Sequence, residues 1–382
     1  MRIAFFANAE AGHVLPLLPL AQAAQDQGHD VALFSSESMN GLAAPVPVHG
    51  VGPEWSEIVA ENGRRHPDGW GGALPHDRIG PAEAADLYAG TRVDMTFDDA
   101  LSAVCRFRPD LVVAEWVDYV GPMAAASLGV PWAAHGLGPA LPTGFTEVLE
   151  APLATAYTAC GLQRHQRIAY VDPCPAFLQA PGWVAPDDRV AFRPRPHRGA
   201  LSSSWSRPVS FGHDDRPTVL LTFGTMIDDP ALYLRALDVL GALDVDVVVT
   251  WSPCGDPRTA PVDRSRVLPV GFVPLEQLLR GVSLVIAPGG AGTVLGSLSA
   301  GVPMVLLPRF ADHRGNAERA AATGGAVVVD ELDDLPAAVR TALDDPSYAA
   351  SARAVAQDME TLPDVGEALD ELLARVPADV VR

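Results

Sequence analysis

The sequence is short of positive charge. Its 382 residues include 27 Lys and Arg against 47 Asp and Glu, a formal net charge of −20. That imbalance argues against nucleic acid or an anionic membrane surface as the main partner, since both would repel the chain. It also poses a local problem for any phosphate ligand, whose site must draw positive potential from backbone dipoles or a few Arg and His side chains. Cysteine is scarce as well. Cys105, Cys160, Cys174 and Cys254 form no CxxC pair and no Cys/His cluster at zinc spacing, so they read as reduced or incidental thiols. No stretch approaches the ~20 apolar residues that span a bilayer. The apolar start, Met1 to Phe6, is too short for a secretory signal because Glu10 and His13 interrupt it. A cytoplasmic protein without stable membrane insertion is the expectation. Two nucleotide motifs are also missing, the GxxxxGK[ST] loop and a GxGxxG turn after the first strand, which counts against P-loop and dinucleotide readings.

What is present is ample core material. Hydrophobic residues make up 48% and charged residues 19% of the chain, and the length fits two domains, or three, at roughly 150 residues each. An apolar strand from Ile3 to Ala7, a helix from Val14 to Gln27 and a strand from Val31 to Phe34 make a β–α–β unit, the building block of a helix-covered parallel sheet. Leu111 to Ala114, Val120 to Leu128 and Trp132 to Ala134 repeat it. Between these units, residues 50 to 81 are rich in Gly, Pro, Trp and His and read as irregular loops. The periodicity lapses again from about Phe192 to Pro217, a Pro-rich linker. It restarts with strands at Thr218–Phe223, Val245–Trp251, Leu284–Ala287, Met304–Leu307 and Val327–Val329, and with helices at Pro230–Leu243, Thr293–Ala300 and Asn316–Thr323. The boundaries that follow are 1–200, a linker at 201–217, 218–363, and a final helical stretch at 364–382 whose packing the sequence leaves open. Ligands of open α/β sheets bind outside the carboxyl ends of the strands, so chemistry is expected there.

Four groups of residues are placed for it. Pro288-Gly289-Gly290-Ala291-Gly292-Thr293 follows a buried strand and opens a helix, an arrangement whose glycines and outward N–H groups suit a phosphate; a merely tight βα turn would look the same. His13, after Gly12 at the edge of the first strand, could take a proton from a hydroxyl at physiological pH, or simply cap the helix start. Glu115 ends the strand Leu111–Ala114. If the two strands are neighbours it could accept a hydrogen bond from the far ring nitrogen of His13, fixing the tautomer, with Asp118 as the competing carboxylate. In Arg309 to Asn316, Asp312 and His313 could bind sugar hydroxyls while Arg309 or Arg314 faces phosphate.

These residues resemble a known group. VIAPGGAGTVLGSLSAGVPMVLLPRFADHRGNAE, Val285 to Glu318, looks like the donor-binding signature of GT-B-fold family 1 glycosyltransferases, most of all the bacterial enzymes that glycosylate antibiotics and other natural products. GHVLPLLPLA (Gly12 to Ala21), RPDLVVAE (Arg108 to Glu115), LLTFGT (Leu220 to Thr225) and VGFVPLEQLL (Val270 to Leu279) resemble further segments of that family, in order along nearly the whole chain. The resemblance implies an α/β GT-B fold, with two Rossmann-like domains facing each other across a cleft. Residues 1–200 would bind the acceptor and 218–363 the nucleotide-sugar donor. It implies inverting transfer from a nucleoside-diphosphate sugar, TDP- or UDP-linked, to a hydroxyl of a small hydrophobic acceptor. No metal and no cofactor are needed beyond the co-substrate. His13 would be the general base and Glu115 its orienting partner. Gly12, Thr225, Gly289, Gly290, Gly292, Thr293 and Arg309 would hold the donor, Phe272 and Val273 would meet its base, and Asp312 and His313 would read its sugar. Trp55, Trp70, Tyr88, Tyr119 and Phe145 would line the acceptor pocket, although the same residues suit ordinary core. A monomer or homodimer is expected, with no nucleic-acid partner.

The sequence departs from the family pattern at two places. Members usually carry His at the position of Pro288, where it touches the donor pyrophosphate, and proline offers neither N–H nor polar side chain. A hydrogen bond to a charged group is worth ~1.5–3 kcal/mol. Arg309, ahead of His313 or Arg314, is therefore expected to compensate. Glu115 and His313 also stand where Asp and Gln are common. Taken at face value, Pro288 supports a second reading, a non-catalytic accessory or binding protein on the same fold. A sugar-nucleotide epimerase would explain the phosphate turn but not the Gly12-His13 pair.

Overall fold

The computed structural model describes residues 1–67, 81–141, 143–196, 205–208, 211, 216–251, 254–309 and 312–378. They form two compact units, residues 1–193 together with 363–382, and residues 194–362.

The first unit is built on seven parallel strands: β1 (Arg2–Phe6), β2 (Asp30–Ser35), β3 (Val48–Gly50), β4 (Leu111–Glu115), β5 (Trp132–His135), β6 (Ala169–Asp172) and β7 (Arg189–Ala191), in the order β3-β2-β1-β4-β5-β6-β7. β1 and β4 are uninterrupted apolar runs because both sheet faces are covered, and Ile3, Phe5, Leu111 and Val113 turn to one core while Ala4, Phe6, Val112 and Ala114 turn to the other. β1 pairs with both β2 and β4. The chain order therefore reverses direction between β1 and β4, which makes that carboxyl edge the switch point where α/β sheets bind ligands.

The second unit repeats the design with β8 (Thr218–Leu221), β9 (Asp246–Thr250), β10 (Val267–Val270), β11 (Leu284–Ala287), β12 (Met304–Leu306) and β13 (Ala326–Val328), ordered β10-β9-β8-β11-β12-β13. Here the reversal lies between β8 and β11.

Several elements differ from the sequence expectations. The stretch from 50 to 81 was expected to be irregular, yet Trp55–Arg65 is a helix. Its signal is a reciprocal cap in which Glu54 and Glu57 satisfy each other's backbone N–H groups, followed by Ile58, Val59 and Asn62 on one buried face. Helices also begin earlier than hydrophobic periodicity indicates. The Glu10 carbonyl accepts from the N–H groups of His13 and Val14 at 3.0 Å each, so the first turn opens at Ala11. The Gly290 carbonyl does the same for Thr293 and Val294, so that helix is Ala291–Ser299. Turns this close to a strand carry too few apolar residues to register as periodic.

The C-terminal helix Val365–Ala374 packs within the first unit, with Ala368, Leu369 and Leu372 in the same core as Leu17, Leu20 and Ala21. Asp364 caps it, accepting from the N–H groups of Gly366 and Glu367, while Glu367 accepts from the N–H of Asp364.

Candidate active site

Parallel pairing of β1 with β4 brings the residues after one strand beside the end of the other. His13 lies in the first helical turn after β1, and its Nδ1 is 2.8 Å from Oε1 of Glu115, the last residue of β4. Glu115 is buried and fixed at both oxygens. Oε1 also accepts from the Asn8 amide, and Oε2 accepts from the Val117 N–H at 2.8 Å. A carboxylate there makes Nδ1 the protonated nitrogen, which leaves Nε2 as the basic one. Nε2 is 3.4 Å from Oε2 of Glu10.

Behind this pair is a buried polar network. Arg92 is fully buried; its Nε donates to Asn8 Oδ1 at 2.9 Å, and its terminal nitrogen reaches Asp118 Oδ2 at 3.3 Å and the Ala7 carbonyl at 3.4 Å. Asp118 is therefore the counter-ion of Arg92 rather than the partner of His13, and its other oxygen accepts from the Gly121 N–H. Burial pushes the Asp118 carboxyl up to about 6, with Arg92 pulling down and Glu115 pushing up. The chain Arg92–Asn8–Glu115–His13 holds the imidazole in one orientation.

Two of the aromatic candidates stand at this histidine. Tyr88 stacks on the His13 ring with centroids 5.9 Å apart, and Trp55 stacks on Tyr88 at 5.7 Å. Tyr119 and Phe145 are half-buried and pack against the core on the Phe6 face of the sheet, Phe145 within the helix Thr143–Ala159. Trp70 lies outside the described residues.

In the second unit the glycine turn joins β11 to the helix Ala291–Ser299. Gly289 has φ +100, and a Cβ there would fall 2.7 Å from the His313 carbonyl oxygen, so only glycine fits. The Asn316 amide holds the Gly289 carbonyl at 3.0 Å and Asp312 at 2.7 Å. Among the described residues, a Cβ on Gly292 would meet no atom within 4 Å, and one on Gly290 would meet only the His313 Nε2, at 3.7 Å. Gly12 in the first unit likewise faces open space. Thr225 is exposed after β8, Thr293 is half-buried in the first helical turn, Phe272 is 48% exposed and Val273 half-buried after β10. Arg309 and Asp312 are exposed after β12, whereas His313 is buried beside the turn and Arg314 is paired with Asp330. Because β8, β11 and β12 are adjacent, Thr225, the glycine turn and the residues Arg309, Asp312 and His313 follow neighbouring strands at one carboxyl edge.

Asn8, Glu10, Arg92 and Asn316 did not emerge from the sequence reading. Arg92 carries a signal: it precedes Thr96 and Ala100 at four-residue spacing on the buried face of the helix Arg92–Phe107. Among the described residues, no three His, Cys, Asp or Glu side chains are grouped so as to hold a metal ion. Among them also no helix is long and apolar enough to cross a membrane.

Comparison with known proteins places this arrangement. Residues 22–181 match the N-terminal domain, and residues 234–374 the C-terminal domain, described as erythromycin biosynthesis protein CIII-like. The chain belongs to this CIII-like family. It is 31% identical over 359 residues to the L-demethylnoviosyl transferase of Streptomyces niveus, covering 88% of this chain and 87% of that one. To the 3-alpha-mycarosylerythronolide B desosaminyl transferase of Saccharopolyspora erythraea it is 27% identical over 419 residues, covering 96% of each. The solved structure of the glycosyltransferase SsfS6 from Streptomyces sp. SF2575, complexed with thymidine diphosphate, superposes with a TM-score of 0.80 at 28% identity, covering 98% of this chain and 99% of that one. The CIII-like chain is thus a GT-B-fold family 1 glycosyltransferase of the bacterial natural-product type. Its CIII-like relatives are transferases, which favours the enzyme over the accessory-protein reading raised by Pro288.

Proposed function

We propose that this glycosyltransferase moves a sugar from a nucleoside diphosphate, thymidine diphosphate before uridine diphosphate, to a hydroxyl of a small hydrophobic natural-product acceptor. The transfer inverts the anomeric carbon and needs no metal. The observation that carries the reading is the 2.8 Å contact between His13 Nδ1 and the buried Glu115. It supports a base whose tautomer is set and whose imidazolium is stabilised as it forms. Nε2 takes the acceptor O–H proton while the oxygen attacks the anomeric carbon. The bond from that carbon to the diphosphate oxygen breaks on the opposite face, and its electron pair leaves with the diphosphate. The N–H groups at Gly290 and Gly292 and the Thr293 hydroxyl would face the growing charge. Pro288 supplies no donor, and the His313 imidazole, beside Gly290, is better placed than the exposed Arg309 to serve in its stead. Phe272 and Val273 would meet the base, and Thr225, Gly12 and Asp312 the rest of the donor. Tyr88 and Trp55 would form the acceptor wall next to His13. The preference for thymidine follows SsfS6, whose structure holds that diphosphate.

The test is transfer from TDP- and UDP-sugars to a panel of aromatic and macrocyclic alcohols, with product configuration read by NMR. His13→Ala is expected to lose ~10²–10⁴-fold in kcat/KM, the product should carry the opposite anomeric configuration to the donor, and EDTA should have no effect. Retention of configuration, full activity of His13→Ala, or silence with every donor would each defeat the proposal.

A further inference from the structure

Two carboxyl groups flank His13, and the mechanism above uses only Glu115. The other is Glu10, three residues before His13, whose side chain is 10% exposed and whose Oε2 lies 3.4 Å from Nε2. A buried carboxylate is costly, and burial pushes the Glu10 carboxyl up, Glu115 adding to the effect while His13 and a hydrogen bond from Trp55 oppose it. Nε2 is the atom that receives the acceptor proton. With Nδ1–H committed to Glu115, a carboxyl oxygen that close to Nε2 calls for one proton between them, carried by one or the other.

We propose that Glu10 is a positioning residue for the base: it shares one proton with Nε2 of His13 until the acceptor hydroxyl displaces it. At rest the shared proton lies on Nε2 beside an ionised Glu10, and it passes to Glu10 as the acceptor hydroxyl arrives. Nε2 is then bare to accept the hydroxyl proton as the oxygen attacks. The charged and titratable groups around the pair come from five places. Glu115 ends β4, Asp118 follows it, Arg92 comes from the helix Arg92–Phe107, Tyr88 from the turn before that helix, and Glu10 from the helix start itself. Trp55 adds a neutral indole from the helix Trp55–Arg65. Arg92 is the only cation in this set and is engaged by Asn8, Asp118 and the Ala7 carbonyl. Among the described residues these groups are net acidic, and Glu10 Oε2 stands 3.4 Å from Nε2. An adjacent acid favours the protonated imidazole, so removing it should let the ring lose its proton at lower pH.

The inference rests on reading His13 as the base, but its test needs no turnover. The full chain, labelled at histidine, is titrated by NMR, and the His13 ring among the ten histidines is assigned by its loss in His13→Gln. Glu10→Gln should lower the His13 midpoint by about one pH unit or more, as expected for loss of an adjacent carboxyl. Glu10→Asp, which keeps the carboxyl but shortens its reach, should fall between, and it serves if the glutamine variant does not fold. A midpoint that stays at the wild-type value in both variants overturns the proposal. If the midpoint moves but His13→Ala keeps full transferase activity, the hold of Glu10 on His13 stands and the assignment of the base falls instead.

Discussion

His135 occupies the register position opposite Glu115 at the end of β5, fully buried, with both ring nitrogens lacking a partner among the described residues. The Phe192 ring lies 5.7 Å away. Burial lowers its pKa from 6.5 to about 4, so the imidazole stays neutral in the fold. The sign follows: below 6.5 the unfolded chain takes up a proton that the folded chain refuses until about pH 4. The titration of His135 therefore costs the fold nothing above 6.5 and progressively more as pH falls. At pH 5 the loss is about 2 kcal/mol from this residue alone. His135→Phe keeps the ring shape and removes both unpaired nitrogens. Its urea midpoint should match or exceed wild type at pH 7 and fall less on going to pH 5; an equal fall in both proteins would refute the account. At this scale the sequence was only half legible. His13 and Glu115 could be paired because one follows β1, the other ends β4, and the two strands are neighbours. Glu10 and Asn8 could not, because a polar residue in a turn looks the same whether it faces water or a buried ring, whereas Arg92 was readable only through its four-residue spacing with Thr96 and Ala100.

At the scale of elements, the turn between β11 and the helix Ala291–Ser299 separates two uses of glycine. Gly289 is required by the protein itself, through its positive φ and the close His313 carbonyl, whereas Gly292 meets open space. Gly289→Ala should destabilise the second unit by about 1–3 kcal/mol, the range for a strained backbone. Gly292→Ala should leave thermal stability unchanged or raised by up to ~1 kcal/mol, since alanine is the better helix former, yet weaken thymidine diphosphate binding. Calorimetric melts and titrations of the two variants distinguish these effects; equal loss of stability in both would contradict the geometry. The strand-turn-helix pattern here was readable from composition because an apolar run meets three glycines. The helix Trp55–Arg65 was not, because its start signal is a pair of glutamates, Glu54 and Glu57, amid a stretch rich in Gly, Pro and Trp. The first helical turns at Ala11 and Ala291 escaped for the opposite reason, small residues giving no periodicity.

At the scale of the molecule, the chain leaves the first unit after Arg193 and re-enters it at Pro363, where the Arg193 N–H donates to the Pro363 carbonyl at 2.8 Å. Leu369, fully buried among residues such as Leu17 and Leu20, anchors the returning helix, and Arg375 donates to the carbonyl of Asp188 at 2.6 Å. Leu369→Ala should cost ~2–5 kcal/mol and lower the unfolding transition of the first unit while sparing that of residues 194–362. Hydrogen exchange resolved by segment reads this directly, and uniform destabilisation of both units would speak against it. The two-unit rhythm and the helical character of residues 364–375 were visible in the sequence. Which core that helix completes was not, since an amphipathic stripe names no partner.

The returning helix also sets an order of assembly. On the ribosome, residues 194–362 are made in full before the segment that finishes the first core exists. The second unit can thus fold as a closed insertion while the first still waits for its last helix. The same crossing offers a seam for recombination: exchanging everything between Arg193 and Pro363 for the matching stretch of a relative would cut the chain at one hydrogen-bonded junction and leave the core around β1 and β4 with its own C-terminal helix.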